Sequence, residues 1–130
     1  MQENVAVVTG GTGGLGRALI PYLVRRDFKV AVPYLKPGEA RELEDELGLD
    51  EDRLMLRRCD CTDATAVESL MQEITETFGA PNVVAALVGG WAGGRDLAET
   101  STVRFDRMID LNLRATFYTL RAAIPHMRDA

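Results

Sequence analysis

Apolar residues along the chain follow two alternating rhythms. Residues 4–9 (NVAVVT), 29–35 (KVAVPYL), 53–59 (RLMLRRC) and 83–88 (VVAALV) are short runs without apolar/polar alternation, as expected of strands covered on both faces. Between them the apolar spacing changes to three and four. Residues 17–26 place Ala18, Leu19, Tyr22 and Leu23 on one helical stripe, and a polar helix over 39–47 is stopped by Gly48. A third helix, capped by Thr62 or Asp63, runs to Phe78 with Val67, Leu70, Met71 and Ile74 on one face, and Gly79-Ala80-Pro81 ends it. After a glycine-rich loop over 89–94, a cap at Ser101 or Thr102 opens one long helix to Met127, with Pro125 bending or fraying its last turn. Pro33 has no N–H for a ladder, so it belongs near the end of its strand or on an unpaired side. The order βαβαβαβα predicts a parallel, three-layer α/β sheet with right-handed crossovers and strand order 3-2-1-4, the fourth strand buried beside the first.

The first strand runs directly into Gly10-Gly11-Thr12-Gly13-Gly14-Leu15-Gly16 and then into a helix. A phosphate docks at such a helix start because the first-turn N–H groups have no intrahelical partner and the dipole there is positive. Close approach requires a turn without β-carbons in the way, which Gly10, Gly14 and Gly16 supply. With Thr12, Gly13 and Leu15 they form a candidate cradle for the pyrophosphate of a dinucleotide. NAD and NADP are told apart about 20 positions further on, where a carboxylate holds the ribose hydroxyls and repels a 2′-phosphate. Tyr34 and Lys36 stand there and no carboxylate does, so NADP(H) is favoured over NAD(H), although Lys36 also suits a solvated loop start.

Composition narrows the partners. The chain has 130 residues, 46% apolar and 27% charged, enough for one domain with one sizeable core. Its 15 Lys+Arg against 20 Asp+Glu leave a net charge of −5, which opposes non-specific binding to nucleic acid or an anionic membrane. No apolar run approaches the ~18 residues of a membrane span, and Met1-Gln2-Glu3-Asn4 lacks a basic leader. A soluble, cytoplasmic protein is the expectation. Cys59 and Cys61, one residue apart on one strand face, read as two buried thiols rather than a disulfide or a zinc site.

Thr9-Gly10-x-x-x-Gly14-Leu15-Gly16 resembles the nucleotide fingerprint of short-chain dehydrogenases/reductases. Cys59-Asp60-Cys61-Thr62 is similar to that family's acidic residue after the third strand, and the resemblance implies that Asp60, with Cys61, holds the adenine. Residues 105–127 resemble the helix carrying the family's active-site asparagine, here Asn112. The resemblance implies a Rossmann-like fold, dinucleotide binding that includes Gly89 and Gly90, and an asparagine that bonds to its own helix and holds a water in a proton relay. On helical spacing, Asn112 falls on a mostly apolar stripe with Met108, Ile109, Ala115 and Thr116, and a satisfied core asparagine without chemical role is an equal reading. One departure is Ala86-Leu87-Val88-Gly89, where the family has Asn-Asn-Ala-Gly, so the asparagine bracing the central sheet is missing. Residues 87–94 look instead like the loop of dihydropteridine-reductase-like members, with Trp91 suited either to lie against a ligand ring or to cover an apolar edge.

Hydride transfer in the family uses a tyrosine whose phenol is acidified by a lysine four residues later, plus a carbonyl-orienting serine. Here Tyr22 has Arg26 at that spacing, Tyr34 has Gly38 and Tyr118 has Ala122, and the only lysines are Lys29 and Lys36. The chain therefore looks like the nucleotide-binding half of a reductase, truncated to about four strands before the family's fifth and inactive alone. A non-enzymatic, oligomerising nucleotide-binding or structural module is the alternative. The fourth strand and the long helix, with Phe105, Met108, Phe117 and Leu120, are the expected surfaces of a homo-oligomer.

Overall fold

The central strand β1 (Asn4–Thr9) explains why its run is unbroken. Val5 and Val7 face one side of the sheet and Ala6 and Val8 the other, and all four are fully buried, each side in its own hydrophobic cluster. The structure, a computed structural model, describes residues 4–127. The expectations that rest on residues 1–3 and 128–130 lie outside the described residues. The elements in order are β1, α1 (Gly14–Val24), β2 (Phe28–Tyr34), α2 (Pro37–Leu47), β3 (Leu54–Arg58), α3 (Ala64–Thr77), β4 (Val83–Ala86), a 3-10 turn (Leu97–Glu99), α4 (Thr102–Ile109), a π turn (Asp110–Arg114) and α5 (Ala115–Met127).

The four strands pair in parallel in the order β3-β2-β1-β4, as expected. On one face Val67, Leu70, Met71 and Ile74 of α3 pack with Ala115 and Ala123 of α5 against Val5, Val7, Ala31 and Met55. On the other face Ile20 and Leu23 of α1 and Leu43 of α2 cover Ala6, Val8, Val30 and Val32. Local chemistry sets the boundaries: Asp63 caps α3 by accepting from the Ala66 N–H at 3.2 Å, Ser101 caps α4, and Gly48 ends α2 with φ +58°. Pro33 sits one residue before the end of β2.

Three expectations change. β4 is four residues long, and all four are half-buried rather than buried, because it forms an edge of the sheet. The long helix is broken into α4, the π turn and α5, and α5 continues through Pro125 to Met127 instead of fraying at it. Helix α1 starts at Gly14, three residues earlier than its apolar stripe, so Gly14, Leu15 and Gly16 are its first turn.

Space, rather than propensity, fixes the β1–α1 turn. Gly10 has φ +68°, and a Cβ there would lie 2.7 Å from the Leu87 carbonyl carbon and oxygen and 2.8 Å from the Val88 nitrogen. A Cβ on Gly16 would overlap the Cα of Gly11. Gly10→Ala is expected to cost about 1–2 kcal/mol for the left-handed backbone and about 1–3 kcal/mol more for overpacking. Gly38→Ala, on the exposed first turn of α2 where nothing lies within 4 Å, is expected to gain about 0.5–1 kcal/mol. Urea unfolding of the two variants checks both signs.

Candidate functional site

The carboxyl ends of β1, β2 and β3 open on one pocket of about 200 Å³. Gly10 and Thr12 enter it from the glycine turn, Tyr34 and Lys36 from the end of β2, and Asp60 and Cys61 from the loop after β3. Residues remote in sequence thus share a wall at the edge where parallel α/β sheets bind ligands. Tyr34 is half-buried and Lys36 is exposed as the N-cap of α2.

At the start of α1 the N-cap is Gly13, which has no side chain to bond the first-turn N–H groups. Gly13, Gly14 and Leu15 are exposed, and a Cβ on Gly14 would meet nothing within 4 Å. Gly14 therefore leaves room that the protein itself does not fill, whereas Gly16 is demanded by packing. The turn is held from outside. The Gly13 N–H donates to the Gly10 carbonyl at 3.1 Å, and Arg17 Nε donates to the Thr12 carbonyl at 3.0 Å. Arg17 also reaches Glu42 at 2.7 Å and Glu46 at 3.4 Å across to α2, and the Glu42 bond first, with the charges of Glu46, Glu42 and Glu39, raises its pKa against the opposing effect of desolvation.

Glu39 was not visible as a site residue in the sequence. No carboxylate stands at the expected spacing, yet the first turn of α2 brings Glu39 into the pocket, where Oε2 accepts from the Thr12 hydroxyl at 3.1 Å. Asp60 Oδ1 accepts from the Thr62 N–H at 2.9 Å and the Thr62 hydroxyl at 2.7 Å, tightening its loop. Both bonds use Oδ1, so Oδ2 keeps its acceptor capacity. Cys59 and Cys61 are both buried with free thiols. The hydrogen bond from Cys61 lowers the Cys59 thiol, and the same bond together with burial raises that of Cys61.

Asn112 sits on the π turn and is exposed, not on a buried apolar stripe. The widened turn lets its amide reach two elements at once. Nδ2 donates to the Met108 carbonyl at 3.0 Å and to the Gly90 carbonyl at 2.9 Å, while Oδ1 accepts from the Gly90 N–H at 3.1 Å. The loop after β4 is thereby clamped to the helix. Gly89 lies against the same side chain, since a Cβ there would stand 3.0 Å from Asn112 Oδ1. Gly89 and Gly90 thus meet Asn112 and Leu111, while Val88 and Leu111 border the pocket of the glycine turn. Thr9, buried at the end of β1, accepts from the Leu87 N–H with both its carbonyl and its hydroxyl.

The tyrosines are dispersed. Tyr22 lies under Arg26, 3.6 Å from its ring centroid to the guanidinium carbon, on the outer side of α1, and Tyr118 packs against the α3–α5 core. Trp91 is 87% exposed, and its ring lies over Gly93, where a Cβ would overlap it.

The short chain dehydrogenase family model matches residues 4–130. A versicolorin reductase of Emericella nidulans is 32% identical over 99% of this chain and 49% of its own length. Among solved structures, a metagenomic blue fluorescent protein in complex with NADPH superposes with TM-score 0.85 at 26% identity, over 97% of this chain and 52% of its own. The aldohexose dehydrogenase of Thermoplasma acidophilum gives TM-score 0.82 at 27% identity, over 99% of this chain and 46% of its own. The chain spans about half the length of the curated relatives it matches.

If Asn112 is the clamp on the loop, Asn112→Ala is expected to speed amide exchange over residues 88–94 several-fold while costing only about 1 kcal/mol of global stability. Hydrogen exchange read by mass spectrometry tests this, and unchanged protection of that peptide contradicts it.

Proposed function

The chain belongs to the short-chain dehydrogenase/reductase family, and on that premise we propose that residues 1–130 form one nucleotide-binding domain that takes NADP(H) in preference to NAD(H). The observation that carries this is the pocket joining Gly10 and Thr12 to Tyr34, Lys36 and Asp60 at the carboxyl edge of the sheet. The open flank of Gly14 and the uncapped start of α1 suit a pyrophosphate. In this reading Asp60 and Cys61, which line the pocket, serve the adenine side, and Gly89 and Gly90, in the loop after β4, serve the nicotinamide end. Lys36 is the reason for ranking NADP(H) first: it stands at the pocket rim and forms no ion pair among the described residues. Glu39, whose Oε2 accepts from the Thr12 hydroxyl, acts in the opposite sense.

Asn112 is the one residue proposed for the reaction itself, as the group that holds a relay water beside the substrate. When bound, the dinucleotide supplies or accepts the hydride in the interconversion of a carbonyl and an alcohol. Within this sequence no tyrosine has lysine four residues on, which supports a chain that binds nucleotide without turning it over. Both free thiols suit a reducing compartment, and a cytoplasmic location is proposed. No helix among the described residues is long and apolar enough to cross a membrane.

Self-association is proposed through α4 and α5. Phe105 on α4 and Phe117, Leu120 and Ile124 on α5 are large apolar side chains left exposed, as is Leu113 on the π turn between them. Light scattering after size exclusion is expected to give at least a dimer at micromolar concentration and a monomer for Phe117→Glu. A wild-type monomer overturns the assembly.

Calorimetric titration is expected to show saturable NADPH binding that is tighter than NADH binding. Lys36→Glu is expected to weaken NADPH on the order of tenfold, or about 1.4 kcal/mol, and to leave NADH nearly unchanged. Gly14→Val is expected to abolish both without lowering the unfolding midpoint. No saturation up to millimolar nucleotide overturns the site, and steady NADPH oxidation by the purified chain overturns the inactive reading.

A further inference from the structure

A second cavity, of about 600 Å³, lies between the loop after β4 and α4. Three arginines line it, Arg95 from the loop and Arg104 and Arg107 from α4, and its apolar wall is Trp91, Met108 and Leu111. No carboxylate lines it, although the chain carries 20 Asp+Glu and is net acidic. It shares Gly90 with the Asn112 clamp, so it starts where the proposed relay residue holds the loop.

The arginines are placed against local preference. Ser101 caps α4 by accepting from the Arg104 N–H at 3.1 Å, which makes Arg104 the third helical residue. A glutamate or glutamine there would complete a capping box and suit the positive end of the helix dipole. A guanidinium does neither, and Arg107 three residues later adds a like charge on the same face. Arg104 Nη2 donates to the Gly93 carbonyl at 2.7 Å, holding the tryptophan loop to the helix and leaving four of its five N–H donors for other acceptors. Arg95 and Arg107 form no ion pair among the described residues. Asp106, two positions from Arg104, is not on the cavity wall. Unpaired guanidiniums around an apolar wall are arranged to meet a ligand with a negative head and a hydrophobic body.

We propose that this cavity is the substrate-recognition site and that it takes a carbonyl compound bearing an acidic group, carboxylate or phosphate, on an apolar chain or ring. The acid is bound by Arg104 and Arg107 with Arg95, and the apolar portion lies against Trp91, Met108 and Leu111. The identification of the ligand as a substrate rests on the dinucleotide reading above; the anion site itself does not.

Trp91 is the sole tryptophan of the chain, so its fluorescence reports this cavity. Octanoate, octyl phosphate and octanamide serve as probes, with NADPH binding followed separately by calorimetry. Octanoate or octyl phosphate is expected to shift Trp91 emission saturably, and octanamide at least tenfold more weakly. The stronger of the two anions identifies the acidic group. Arg95→Gln with Arg107→Gln, which keeps the Arg104–Gly93 bond that holds the loop, is expected to weaken the anion at least tenfold and to leave NADPH affinity and the unfolding midpoint unchanged. Equal response to octanamide and octanoate, or an unchanged affinity in the double variant, overturns the anion site. A protein that binds NADPH but none of the probes overturns this inference alone. One that binds octanoate but no nucleotide overturns the dinucleotide reading and leaves an anion site.

Discussion

The contact on which this architecture depends is the one between two stretches of bare backbone, Gly10 at the end of β1 and Leu87–Val88 beyond β4. Only 2.7 Å separates the place of a Gly10 Cβ from the Leu87 carbonyl. Because that approach is possible, Thr9 can accept from the Leu87 N–H with both its carbonyl and its hydroxyl. Asn82 closes the other end of the same pair, accepting from the Val5 N–H at 2.7 Å and donating its own to the Val5 carbonyl at 2.9 Å. β4 is thus fastened to β1 at both ends despite having four residues and an edge position.

That fastening positions two pieces of chemistry. On one side of β1 the glycine turn opens toward the ends of β2 and β3, where charges of both signs, Lys36, Glu39 and Asp60, surround one pocket. On the other side the loop leaving β4 is fixed by Asn112 to the π turn and by Arg104 to α4. An α-helix that gains one residue in a turn exposes a carbonyl and re-aims a side chain, which is why such turns gather at functional positions. Here the extra residue turns Asn112 outward to the loop and keeps Ala115, Thr119 and Ala123 of α5 buried.

The arginine network on the opposite flank has a different character. Arg17 binds Glu42 and Glu46, both well exposed, and screening by solvent makes such pairs weak contributors to stability. Its bond to the Thr12 carbonyl matters more, because it fixes the shape of the turn.

Most of the architecture was legible in the sequence because it follows from nearest-neighbour chemistry. Unbroken apolar runs specify strands buried on both faces, Gly48, Asp63 and Ser101 stop or start helices by local backbone bonding, and the glycines after β1 specify the tight turn into α1. The misreadings share one cause. The exposure of Asn112, the break of the long helix, the half-burial of β4 and the arrival of Glu39 at Thr12 depend on which residues distant in sequence become neighbours. Periodicity records which side of an element is apolar. Where a helix spends an extra residue, and which of twenty acidic side chains reaches a given hydroxyl, are settled only when the sheet and its flanking helices close on one another.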